Sequence, residues 1–505
     1  MRKSDSSVVI IGAGFAGLSA GIYARMNGYK THILEAHNLP GGLCTSWQRK
    51  GYTIDGCIHW LVGSNPHSGM HQLWEEVGIA ENRQFIDADE YMRFEGADGR
   101  TLIFYTDVDR LEQHMLELSP QDRPSILEFT GGIRMCLPLD RPSRHDSPGV
   151  RWRKSLQAAQ AFLLYGPRIK RWMKVTVEEF ASRFKDPLLR AGLKDAWFPE
   201  FSMFFILFTF AVLHKRNAGY PLGGSLPMSK AMEKRYLSLG GQISYEAKVE
   251  SILHENGSAT GVVLQDGSRI MADRIISAAD GHSTIYKMLN GRFLDSKVEE
   301  PYLSWPTFPP LIFVGLGVAR TFPELPFSVS GLSIELDNPT IIGEKERTSL
   351  WVHPYHQDPS LAPDGRTMMV IMLPTDYQWW AALAHQPLRY KEMKAEILQT
   401  ITEILDKRFP GIAGQIEMSD VATPLTFERY TGNWKGSFEG WLLTPANANV
   451  FMKRMPQSLP GLQRFYMCGQ WVEPGGGLPT SVMSARRLIK RICREDGKRF
   501  HTLLT

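Results

Sequence analysis

Gly12-Ala13-Gly14-Phe15-Ala16-Gly17 is the stretch whose residue types and spacing speak most directly of chemistry. Gly12 permits a tight turn, Gly14 lets a backbone approach a pyrophosphate, and Gly17 lets a helix and a strand pack closely. N–H groups at the start of the following helix, together with its dipole, favour phosphate charge. Glu35, eighteen residues after Gly17, is placed to accept hydrogen bonds from a ribose diol. A second glycine pair, Gly41-Gly42 in Leu39-Pro40-Gly41-Gly42-Leu43, lets the chain lie against an extended dinucleotide.

The elements that must position these residues are legible around them. Val8 to Ile11 is a run of branched apolar residues, expected as a buried parallel strand. Leu18, Ile22 and Met26 mark one face of a helix that Gly28 ends. Thr31 to Leu34 reads as a second strand closing on Glu35. Strand, glycine turn, helix, strand and acid together form the dinucleotide fingerprint in its required context. Alone it does not separate a flavin from a nicotinamide.

A chain of 505 residues predicts two or three lobes. Its 43% hydrophobic and 22% charged content is that of a globular protein. A net charge of +4 gives no argument for nucleic acid. No zinc spacing, tandem repeat, Gly-x-Ser-x-Gly elbow or HExxH is present, so no metal is expected. The five cysteines, Cys44, Cys57, Cys136, Cys468 and Cys493, are odd in number and irregular in spacing. That favours a reducing compartment, the cytoplasm, over a disulfide framework. The first apolar run reads as the first strand rather than a signal peptide, and no stretch reaches a membrane span. Nothing in the sequence fixes an oligomeric state.

Three further pieces carry a resemblance. Gly51 to Trp60 contains Asp55-(x)3-His59. Gly219-Tyr220-Pro221-Leu222-Gly223-Gly224-Ser225 leads into a helix expected from about Pro227 to Leu239. Phe465 to Thr480 ends in Cys468-Gly469-Gln470-Trp471 and Gly475-Gly476-Gly477-Leu478-Pro479-Thr480, with a helix expected from about Ser481. With the fingerprint, these resemble the flavin-dependent family of phytoene desaturases, carotenoid isomerases and retinol saturases, within the amine oxidase-like flavoprotein superfamily. The resemblance covers the ends and middle of the chain and is weakest between about 90 and 215.

The resemblance implies FAD as cofactor and an α/β fold. A Rossmann-type FAD-binding domain would be built from 1–90, 217–300 and 440–495, with a helical cap at 91–216 and a substrate-domain sheet at 301–439. It implies cofactor contacts at Gly12, Ala13, Gly14, Phe15, Ala16, Gly17, Glu35, Ala36, Gly41, Gly42, Leu43, Ala279, Asp280, Gly469, Gln470, Gly477, Leu478 and Pro479. Val249 would lie against the adenine. Gln470 stands where many members carry an acid. His59 becomes the first candidate for moving a proton, because in the family its segment runs near the cofactor. Asp55 would pin that loop; Glu439 and Glu473 are further candidates, and Cys468 is expected as a small buried residue. Gly315-Leu316-Gly317-Val318-Ala319-Arg320 lacks the last glycine, so no dedicated nicotinamide domain is expected.

The substrate implied is a long apolar isoprenoid, desaturated, saturated or isomerised at C=C bonds. An amine oxidase-type enzyme on a smaller substrate is the alternative, with Trp351, Trp379, Trp380, Trp434 and Trp441 available for an aromatic cage. A non-catalytic flavin-fold carrier is a third reading, opposed by the intact glycine motifs.

Between the motifs, Gln242 to Tyr245, Ala247 to His254, Ala259 to Gln265 and Arg269 to Ser277 read as strands. So do Leu311 to Val318, Ser349 to His353 and Met368 to Leu373. Tyr390 to Lys407 reads as an amphipathic helix, with Met393, Ile397, Ile401 and Leu405 inward. Arg151 to Val177 carries seven Lys or Arg and no acid, with Leu156, Ala159, Phe162 and Leu163 on one face and Trp172 among the cations. Such a segment either lies on an anionic membrane or packs as a helix with a solvated basic face. Phe198 to Leu213 is the most apolar stretch, too short to span a bilayer, and reads as a buried cap helix able to line a lipid tunnel.

Overall fold

Ser7–Ile11 is the middle strand of a five-stranded parallel sheet, in the order Gln242–Ser244, Lys30–Leu34, Ser7–Ile11, Arg274–Ser277, Phe465–Met467. The computed structural model describes residues 6–139, 143, 145–448, 450 and 455–502. The central strand is apolar at successive positions because both of its faces are covered. Helix Phe15–Met26 packs between helices Ser225–Ser238 and Leu478–Glu495. Gly17 lets the helix lie close against the turn that precedes it, since a Cβ there would collide with the Gly12 carbonyl oxygen. A separate antiparallel sheet holds Val249–Glu255, Ser258–Leu264 and Arg269–Met271. The expected strand from Arg269 to Ser277 is therefore two strands in two sheets.

A seven-stranded sheet forms the other large layer. Its order is Ile416–Ala422, Leu311–Val318, Thr367–Pro374, Lys345–Pro354, Leu332–Ile342, Glu90–Glu95, Thr101–Tyr105. Helix Pro387–Arg408 closes one face and buries Met393, Ile397, Ile401 and Leu405, the periodic positions. The strands at 90–105 belong to this sheet, not to the helical cap with which their sequence position groups them. The cause is a parallel pairing, Leu332 to Arg93 through Ile334 to Glu95, that no local pattern announces.

The segment expected as a cap contains helices Val108–Leu118, Arg123–Cys136, Pro148–Trp172, Val177–Ala181, Pro187–Asp195 and Met203–His214 among the described residues. Within the expected loop from Pro138 to Pro148, residues 140–142 and 144 lie outside the described residues. Met203–His214 buries most of its length against Arg123–Cys136 and Val108–Leu118. Pro148–Trp172 behaves differently. Only Ala161, Ile169 and Trp172 are buried, while Leu163 is 83% exposed and Leu164 71%. Trp172 turns inward onto Phe180, with ring centroids 5.2 Å apart, rather than lying among the cations at the surface. Among the described residues no helix is long and apolar enough to cross a membrane.

Candidate active site

The glycine turn is organised by backbone pairing. Leu18 makes the first helical hydrogen bond, to the Gly14 carbonyl, so Phe15, Ala16 and Gly17 point N–H groups out of the helix start. The second glycine pair runs beside it: Gly41 N–H donates to the Ala13 carbonyl at 2.9 Å. Glu35 receives the Ala13 N–H at 2.6 Å on one oxygen and the His37 N–H at 2.9 Å on the other. Each oxygen keeps a second lone pair, so the carboxylate is oriented yet still able to accept from a diol.

A cavity of about 2280 Å³ opens from this cradle. Gly12, Gly14, Phe15, Ala16, Glu35, Ala36, Gly41, Gly42, Leu43, Val249, Ala279, Asp280, Gly469, Gln470, Gly477, Leu478 and Pro479 all line it. Ala13 and Gly17 do not. Ala13 spends its N–H and carbonyl on Glu35 and Gly41, and Gly17 faces the Gly12 carbonyl. The loop Gly475-Gly476-Gly477 has three successive positive φ angles, 114°, 70° and 81°, and the helix opens directly at Leu478. The expected start near Ser481 is thus one turn late, because Pro479 is accepted in a helix's first turn.

Asp280 is buried and accepts the N–H groups of Ser283 at 2.6 Å and Trp434 at 2.9 Å. Burial pushes its carboxyl up to about 6. Its link to Trp434 ties the segment Tyr430 to Trp441 to the first sheet. Asn433 completes that tie. Its side-chain oxygen accepts from Gln470 Nε2 at 3.0 Å and Trp471 Nε1 at 3.2 Å. Asn433 lies in Tyr430-Thr431-Gly432-Asn433-(x)2-Gly436-Ser437-(x)2-Gly440-Trp441, which resembles the family's segment facing the flavin ring and reads equally as a glycine-rich connector; nothing in the sequence marks Asn433 itself within it.

Asp55 is fully enclosed and accepts four hydrogen bonds, from the N–H groups of Cys57, Ile58 and Ser225 and from Ser225 Oγ. Gly224 lies so close that a Cβ there would strike the carboxylate. Asp55 is therefore a pin, and the internal Gly223-Gly224-Ser225 piece is its socket. His59, at the end of the pinned loop, lines the cavity. Its Nδ1 lies 3.0 Å from His353 Nδ1, with the rings stacked at 5.0 Å. Burial lowers His59 to about 4 and His353 well below its ordinary value. The pair is neutral near pH 7 and shares one proton across the Nδ1 atoms. His353 had no sequence signal.

Glu439 lines the cavity and accepts the Gly477 N–H at 3.1 Å. Burial raises it to about 7. Glu473 does not line the cavity; its carboxylate accepts from both terminal guanidinium nitrogens of Arg487. Cys468 is buried, and burial lifts its thiol to about 12.

Beyond His59 the cavity becomes aromatic. Trp60, Tyr91, Trp197, Phe201, Phe204 and Trp351 line it, with Phe205 and Phe208 from the apolar cap helix. Of the five tryptophans available for an aromatic cage only Trp351 reaches the cavity; Trp380 and Trp441 are wholly buried elsewhere. Phe162, on the exposed helix, lines the cavity and is 57% exposed, so that helix marks a mouth.

Comparison with known proteins decides the family. Residues 15–492 match the model for flavin containing amine oxidoreductases. The chain belongs to the flavin-containing amine oxidoreductase family. The flavoenzyme is an FAD-dependent oxidoreductase of α/β fold. It is 24% identical over 515 residues to a chloroplastic prolycopene isomerase of Arabidopsis thaliana, covering 98% of this chain and 84% of that protein. It is also 24% identical to a lycopene-forming phytoene desaturase of Pseudescherichia vulneris, covering 95% and 97%. An oxidoreductase from Methanosarcina mazei shares the fold, with a TM-score of 0.59 at 18% identity over 96% of this chain and all of that one. Cyclohexylamine oxidase from Brevibacterium oxydans does so with a TM-score of 0.59 at 15% identity, over 98% and 100%.

The residues present fit FAD. The glycine cradle offers N–H groups for a pyrophosphate, Glu35 an oriented acceptor, and the Gly475–Gly477 loop a second helix N-terminus on the same cavity.

Proposed function

We propose that the flavoenzyme acts on a long apolar isoprenoid, carotenoid- or retinoid-like, by desaturating, saturating or isomerising its C=C bonds. The observation that carries this reading is the cavity itself. It continues from the dinucleotide cradle past His59 into an aromatic channel far larger than a small amine needs. The named activities of the prolycopene isomerase and phytoene desaturase relatives support it.

In this reading Gly12, Gly14, Phe15 and Ala16 would hold the pyrophosphate end of FAD, with Gly17 letting the helix lie against their turn, and Glu35 and Ala36 would hold the ribose. Gly41, Gly42 and Leu43 flank it, Val249 backs the adenine, and Ala279 and Asp280 support the far side. Gly469, Gln470, Gly477, Leu478 and Pro479 enclose the ring, with Ala13 orienting Glu35. When bound, FAD supplies hydride transfer. The aromatic walls exclude water and align a polyene. Glu439, with a carboxyl near the working pH, would move a proton at its oxygen, and neutral His59 presents an imidazole to the same cavity.

The same reading places the mouth at a membrane surface, from which an insoluble substrate enters. Helix Pro148–Trp172 exposes Trp152, Leu156, Phe162, Leu163 and Leu164 beside Arg151, Arg153, Arg168 and Lys170.

The test is anaerobic incubation of the FAD-loaded protein with phytoene and with a poly-cis lycopene, following polyene spectra and chromatograms. Altered double-bond number or geometry is the expected result. Bleaching of the flavin by a small amine, with both polyenes unchanged, would overturn the reading. Titration with NADPH separates directions: bleached flavin bands favour saturation or reduced-flavin isomerisation, and persistent bands favour desaturation.

A further inference from the structure

Cys44 and Cys57 face each other across the hairpin that joins the second glycine pair to the His59 loop. Strands Ser46–Arg49 and Tyr52–Asp55 are antiparallel, with Ser46 opposite Asp55. The ladder continues outward, as Gly56 N–H donates to the Thr45 carbonyl at 3.1 Å. Extending that register by one residue sets Cys44 against Cys57 at the ladder's end, where the Cys44 and Thr45 N–H groups turn back to the Gly41 and Leu43 carbonyls. Opposed residues in such a ladder have Cα atoms about 4.5–5.5 Å apart, within the about 4.4–6.8 Å that a disulfide spans.

The ends of the rung are held. Ser229 Oγ donates to the Cys44 carbonyl at 2.7 Å, and Asp55 accepts the Cys57 N–H at 2.9 Å. The thiols sense one another directly: the Cys44 thiol is the largest influence raising that of Cys57, ahead of burial. Both side chains line the cofactor cavity. They lie between the two loops that enclose it. Cys44 follows the Gly41-Gly42 turn, and Cys57 is within electrostatic reach of Glu439, which holds Gly477. Cys44 is part of the apolar core and Cys57 packs against it, while the Cys44 thiol donates to the Ser225 carbonyl at 3.9 Å.

We propose that Cys44 and Cys57 are a redox-active dithiol on the wall of the FAD cavity, a second two-electron couple beside the flavin. On oxidation the two S–H bonds break and one S–S bond forms. The electron pair and both protons leave to oxidised flavin, giving dihydroflavin, which dioxygen returns to FAD with release of hydrogen peroxide. Reduction runs the thiol step backwards. A bridge between 44 and 57 would clamp the loop that carries Asp55 and leads to His59. Attack requires a thiolate, so exchange quickens as pH rises.

The experiment is an anaerobic dithionite titration of the air-equilibrated, FAD-loaded full chain, with thiols counted after denaturation. The protein has five cysteines. Four electrons per chain, with three thiols before and five after, is the expected result, and peptide mapping places the lost pair as a Cys44–Cys57 cross-link. Cys44→Ser and Cys57→Ser should each take two electrons and show four thiols throughout, with flavin bands intact. Uptake of two electrons by the wild type with five thiols at both ends would overturn the proposal, as would a cross-link between any other pair. Bleaching of the flavin bands reports on FAD separately.

Discussion

The Glu439 carboxylate accepts the backbone N–H of Gly477 at 3.1 Å, at the point where the last glycine loop becomes the C-terminal helix. Two segments 38 residues apart are thus joined by one titratable group facing the cavity. Burial holds its carboxyl up against the favourable N–H, at about 7 rather than 4.5. The folded protein therefore binds a proton that the unfolded chain has released between those values, and stability falls as pH rises through that window. Glu439→Gln should remove this dependence. Relative to wild type, the variant should gain about 2 kcal/mol on going from pH 4.5 to pH 8, after discounting for screening at the cavity wall. Chemical denaturation at the two pH values measures it. An equal difference at both would show that the carboxyl titrates normally.

His59 shifts the opposite way, from 6.5 down to about 4. The folded state binds fewer protons there than the unfolded chain, so its contribution is intact above pH 6.5 and is lost as pH falls toward 4. Its ring should stay neutral from pH 8 to pH 5.5. Imidazole NMR shifts of His59, assigned with a His59→Gln variant, should be flat over that range. A midpoint near 6.5 would contradict the buried His59–His353 pair.

Asp55→Ala should be among the most damaging single changes in the cofactor domain. It strips the acceptor from the N–H groups of Ser225 and Cys57 at once and leaves that of Ile58 with Ser225 Oγ alone. Two enclosed donors without partners imply a loss of about 2–4 kcal/mol. Asp55→Asn, which keeps one acceptor oxygen, should lose less. Denaturant midpoints measure the order, and FAD release during thermal melting should track it. Equal midpoints for wild type and Asp55→Ala would remove Asp55 from its role as a pin.

Leu163 and Leu164 face outward on the mouth helix. The double change Leu163→Glu, Leu164→Glu should leave folding stability within about 0.5 kcal/mol. It should nevertheless abolish flotation with vesicles containing a third phosphatidylserine, which the wild type should show at low salt. Flotation unchanged by the substitutions would move the docking surface elsewhere.

Much of the fold was legible because its signals are local. Val8 to Ile11, the glycine turn and the helix behind it declare themselves through adjacent residues, as backbone sterics and burial act over a few positions. The periodic residues Met393, Ile397, Ile401 and Leu405 read out one buried helix face for the same reason. The strands at 90–105 did not declare their sheet, since register with Leu332–Ile342 is a choice between distant partners. Nor did Arg269 to Ser277 show that it divides between two sheets.

By itself, the sequence determined the dinucleotide cradle: glycines where a backbone must turn or approach closely, and an acid at the end of the second strand. Those requirements are met within some thirty residues, so no long-range contact is needed to recognise them. Only the tertiary structure decided which groups work together beyond the cradle. His59 meets His353 across 294 positions, Glu439 rather than Glu473 faces the cavity, and Asn433 ties Gln470 to its loop. Burial and pairing set what each of these side chains can do, and both arise only when distant segments close around a common cavity.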